Sequence, residues 1–131
     1  MALSTQTAPA AAATWFRRIM WIGIAANLAL AVPVLVRPAA VLGAYGLPVP
    51  SEIVWPRFAA LLLVLLSVFY MPAAIDPDRH RVNAVVAVAS RLAGVLFFFL
   101  LHTDYWMLGA LDLVFFVPEA VLLMRMRRAH D

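Results

Sequence analysis

Apolar positions along this chain gather into four long blocks, at about residues 15–36, 53–75, 82–102 and 105–124, separated by short polar or broken stretches. Each block holds close to the twenty or so apolar residues that a helix needs to cross the hydrocarbon core of a bilayer. The pattern predicts an all-α, integral membrane four-helix bundle with short loops, a single domain over residues 15–124. Residues 1–14 are small and polar and read as a flexible N-terminal tail. Residues 125–131 read as a basic cytoplasmic tail.

Local signals place the block ends. Arg17 and Arg18 head the first block, Pro33 should bend its far end, and Arg37-Pro38 stops it. A secretory signal would share the basic pair and the small residues Ala29 and Ala31, but this apolar run continues through Pro33 to Val36, beyond a signal core. Residues 39–51, with Gly43, Tyr45, Gly46, Pro48 and Pro50, are too apolar for a free loop and too broken for a span. A short interfacial segment with Tyr45 at headgroup level fits them. Trp55 anchors the start of the second block, and Pro56 suits a first helical turn, where its missing N–H costs nothing. Pro72 marks the far end, and residues 76–81 form a charged turn in water. His102, Tyr105 and Trp106 surround the Thr103-Asp104 turn as a second aromatic belt.

Composition turns the block pattern into a membrane assignment. Hydrophobic residues make up 66% of the chain and charged ones 13%, against roughly half and a quarter in soluble domains; the mean hydropathy is +0.94. All ten basic residues are arginine. Arg17, Arg18, Arg79, Arg81, Arg125, Arg127 and Arg128 flank one side, while Arg37, with Arg57 just inside a helix, marks the other. The positive-inside rule then puts both termini in the cytoplasm. Arginines confined to block ends fit topology and lipid headgroups, and no basic run with interleaved aromatics offers a nucleic-acid groove. Cysteine is absent, which excludes disulfides, thiol chemistry, iron–sulfur clusters and Cys-ligated zinc.

The residues that break the apolar blocks are the candidate site. Asn27, Arg57, Ser67, Arg91, Asp112 and Glu119 form an expected intramembrane polar layer, and ionisable groups at such depth are functional candidates by default. Counting inward from the outer face at about 1.5 Å per residue puts Arg57 about 6 Å down, Asp112 about 10 Å, Arg91 about 15 Å and Glu119 about 21 Å. Asp112 and Glu119, seven residues apart, share one helix face. Matching by depth predicts two charge pairs, Arg57 with Asp112 and Arg91 with Glu119, each suited to the planar arginine fork. Pro118 frees the carbonyl of Val114 beside Glu119 and makes that spot locally polar. The layer reads as a structural clamp that fixes helix register, as a proton or ion relay through Glu119, or as a contact of Arg91 or Asp112 with a ligand or partner.

Other chemistry finds little purchase. His80 and His102 lie at opposite faces, so they cannot hold one haem, and no metal-ligand spacing occurs. Ser51, His102 and Asp104 share a surface but lack a nucleophile elbow or oxyanion motif. No cofactor and no metal is expected.

Pro56 and Arg57 at the opening of the second helix, Arg91 and Gly94 in the third and Glu119 in the fourth form a layout over residues 43–124. It resembles small four-helix bacterial membrane families, the broad DoxX-like group among them. That resemblance implies the four-helix fold and a bacterial inner membrane, and it implies no activity. The expected function is a non-enzymatic accessory or assembly subunit of a larger membrane complex, with the lipid bilayer, other membrane subunits or a second copy as partners. The alternative is a small homo-oligomeric transporter or channel lined by the polar layer. A lipid- or quinone-handling membrane enzyme comes third.

Overall fold

The computed structural model describes residues 8–128, with no strand among them. Five α-helices follow in order: α1 (Ala8–Val36), α2 (Pro38–Ala44), α3 (Val54–Ile75), α4 (Arg81–Leu96) and α5 (Trp106–Arg128). A π-helical turn, Phe97–Leu101, continues α4, and a 3₁₀ turn, Thr103–Tyr105, leads into α5. Four segments are long and apolar enough to cross a membrane: Ala10–Val36, Val54–Ile75, Arg81–Leu101 and Thr103–Arg128.

Both tails are more helical than expected. Residues 8–14 belong to α1, because an alanine-rich stretch is the best helix former and because Ala12, 5% exposed, enters the core. At the other end α5 runs on to Arg128, held by buried Met126. Residues 1–7 and 129–131, the remainder of the expected tails, lie outside the described residues.

The broken stretch after α1 has a defined build. Arg37 N–H donates to Pro33 O at 2.8 Å, and Pro38 opens α2, where a proline needs no donor. Gly46, at φ 68°, ends α2: its N–H reaches Gly43 O at 3.0 Å, and Leu47 N–H reaches Leu42 O at 2.9 Å. This is the Schellman pattern, completed by the apolar pair Leu42 and Leu47, both buried. Tyr45 is exposed beside it.

The α3–α4 turn is equally specified. Asp76 N–H closes α3 onto Pro72 O at 2.9 Å, and the Asp76 carboxylate accepts from Arg79 N–H at 3.1 Å. After α4, His102 N–H donates to Phe97 O at 3.1 Å. That five-residue reach is the wide turn of a π-helix.

The helices form a ring in which α1 packs on α3 and α5, and α4 packs on α5 and more lightly on α3. The buried residues fall into two clusters. One, at the end carrying the chain termini, gathers Phe16, Met20, Ile24 and Tyr70 with Ala73, Ala74, Ala84, Ala87 and Met126. Alanines at these crossings let backbones approach closely, the usual device where apolar burial gives helices no preference for one another over lipid. The second cluster is small: Ala31, Val34 and Ala60.

Candidate functional site

Arg91 is the centre of the polar layer. It sits midway along the helical stretch from Arg81, is 3% exposed, and points inward. Its Nη1 donates to Asn27 Oδ1 on α1 and to Asp112 Oδ1 on α5, each at 3.0 Å. The contact with Asp112 is an ion pair. The guanidinium carbon also lies 4.9 Å from the Phe115 ring centre and 5.9 Å from that of Tyr70, within cation–π range. One side chain of α4 therefore touches side chains from each of the other three long helices.

Two glycines make room for it. A Cβ at Gly94, on the turn of α4 after Arg91, would collide with Asp112 Oδ2. A Cβ at Gly23 would stand 2.8 Å from Arg91 Nη2 and 3.5 Å from Glu119 Oε1. Absence of a side chain at these two places lets α4 and α5 seat their charged groups against bare backbone.

Depth matching misassigned both pairs. Arg57 is exposed on α3, while its helix neighbours Pro56, Ala59 and Ala60 face inward. Its distance along the axis resembles that of Asp112, but its direction around the helix carries it out of the bundle. Arg91 pairs with Asp112 rather than Glu119: Gly94, one turn after Arg91, admits the Asp112 carboxylate closely. Glu119 is fully buried, and neither carboxylate oxygen has a hydrogen-bond partner among the described residues. Ser67 is also fully buried, but its hydroxyl bonds back to Leu63 O at 2.8 Å, so it belongs to its own helix rather than to the cluster. Asn27, expected only as a member of the polar layer, is a direct partner of Arg91. Gly23 was missed as a member; a glycine one turn before Asn27 in an apolar run is the signal that marks it.

Beyond the cluster, toward the end carrying α2, the helices part. A cavity of about 480 Å³ opens there, walled by α1, α3, the π-helical turn and α5, with Asn27 and Asp112 on its surface. Tyr105 bridges its outer end by donating its hydroxyl to Pro48 O at 3.1 Å. No group of three or more His, Asp or Glu residues that could hold a metal occurs among the described residues.

No family model, curated protein or solved structure matches the chain.

Proposed function

We propose that this chain is a polytopic protein of the bacterial inner membrane, both termini cytoplasmic, serving as a non-enzymatic accessory or assembly subunit of a larger membrane complex. The outer face of α4 carries the reading. Ala89 and Ala93, four residues apart, are exposed there among Val82, Val86, Leu92 and Leu96. Small residues at that spacing suit close approach by another membrane helix. The apolar stretches of α4 and α5 are each 17% buried, against 33% and 28% for those of α1 and α3, so α4 and α5 leave the larger share of their surface open to a neighbour. The clustering of seven arginines at the terminal end supports the orientation.

A second reading, a small homo-oligomeric transporter or channel, draws on Glu119: a buried carboxylate without a bonding partner, flanking Gly23 together with Arg91. Native mass measurement after mild detergent extraction separates the two. Co-purification of a different chain, lost in Ala89→Leu/Ala93→Leu, supports the subunit. A closed homo-oligomer supports the transporter, and a bare monomer overturns both.

A further inference from the structure

The seam between the start of α4 and the end of α5 holds a small cavity of about 50 Å³. Room for one water takes about 10–15 Å³, so this space admits a group the size of a phosphate and not a sugar or a base. Asp78, Arg81 and Arg127 line it, together with Val85 and Leu123. Arg81 and Arg127 are both exposed, so neither side chain is enclosed by the bundle. Val85 follows Arg81 by four residues, and Leu123 precedes Arg127 by four. Because α4 runs away from this end and α5 runs toward it, both apolar residues lie about 6 Å deeper than the arginines, on the same helix faces. On both walls, charge stands at the mouth and hydrocarbon behind it.

Charge and depth together narrow the occupant. Two guanidiniums against the single carboxylate of Asp78 leave positive charge in excess at the mouth. Among the described residues this end carries seven arginines against Asp76 and Asp78, so a cation is repelled. A free inorganic anion meets the arginines but leaves Val85 and Leu123 in contact with nothing apolar. A zwitterionic lipid brings an ammonium to a surface already rich in positive charge. An anionic phospholipid matches both layers: its phosphodiester accepts from the arginine forks, and its chain continues along the apolar seam. Basic pockets between membrane helices hold lipid headgroups by this chemistry. We propose that the α4–α5 seam binds an anionic phospholipid, its phosphate between Arg81 and Arg127 and one acyl chain lying past Val85 and Leu123. The site requires only that the apolar segments span a bilayer; it holds for either orientation of the chain and needs no partner subunit.

The test uses the delipidated full chain in detergent, with bound lipid counted by native mass spectrometry. Phosphatidylglycerol should form a saturable adduct about tenfold tighter than phosphatidylcholine or phosphatidylethanolamine, the worth of about one charge-assisted hydrogen bond. Arg81→Gln/Arg127→Gln should erase that preference while helicity by circular dichroism is unchanged, and Arg127→Gln alone should lower the affinity about fivefold. Arg79→Gln/Arg125→Gln removes the same charge from the same end at residues outside the cavity, and should keep the preference. Glycerol phosphate, a head group without a chain, should fail to displace the lipid, whereas lysophosphatidylglycerol should succeed. Equal binding of the three lipids, a preference that survives Arg81→Gln/Arg127→Gln, or an equal loss in the two double variants overturns the proposal. Displacement by glycerol phosphate as effective as by the lysolipid overturns it in favour of a free-anion site.

Discussion

Arg91 uses one terminal nitrogen to hold two oxygens on two other helices, and its neighbours define what losing it would do. Arg91→Leu leaves Asp112 with no countercharge and Asn27 with no donor. Removing one partner of a buried pair costs about 3–5 kcal/mol, whereas replacing both by apolar groups is often neutral. Thermal unfolding in detergent should therefore show Arg91→Leu strongly destabilised and Arg91→Leu/Asp112→Leu largely restored. A fully stable single variant would refute the clamp. The glycines give a sharper contrast. Gly94→Ala forces Asp112 away from α4, while a Cβ at Gly43 meets nothing within 4 Å. Gly94→Ala should cost about 2 kcal/mol through strain and a displaced ion pair. Gly43→Ala should raise stability by up to about 1 kcal/mol through better helix propensity; equal responses would count against the packing described. At this scale the sequence disclosed which residues are polar and where each falls along its helix, since position along an axis follows from counting. Direction around each helix was not legible for Arg57, because one polar residue in an apolar background gives no periodicity to read.

At the scale of elements, prolines and glycines were the most readable features, since each acts through its own backbone. The end of α1 and start of α2 follow from Pro38, the end of α2 from Gly46 and the end of α3 from Pro72, whose effects are local. Gly46 adopts a left-handed conformation, so Gly46→Ala should cost about 1 kcal/mol. In a chemical melt, that loss should appear without change in the Arg91–Asp112 coupling measured by double-mutant cycle. The π-helical turn Phe97–Leu101 was not legible. Five large apolar residues carry the same signal in an α-helix as in a wider turn, and the choice is made by packing: Phe97 against Phe98 at 5.2 Å and against His102 at 4.8 Å between ring centres. Nor was the helical state of residues 8–14 legible as distinct from a tail, because alanine runs without charge carry no address until a core accepts them.

For the whole molecule, the chain's lack of cysteine makes orientation directly measurable. Gly43→Cys, on the exposed face of α2, should react with a membrane-impermeant maleimide added to intact cells, and His80→Cys, beside the α3–α4 turn, should react only after lysis. The reverse pattern would invert the topology. Four helices long and apolar enough to cross a membrane were readable from block lengths alone; their order around the ring and the cavity were not, because both arise from how the helices pack.

The polar cluster divides the bundle into a close-packed half and an open one, and this division has a consequence for how such a chain evolves. Ala73, Ala74, Ala84 and Ala87 are fully enclosed, so any gain in size there pushes two helices apart. Cavity residues such as Leu30, Leu108 and Leu111 border free space and can change size while the fold stands. Inheritance of the scaffold is thus separated from drift in what it accommodates: one end keeps the architecture constant while the other is at liberty to acquire new tastes.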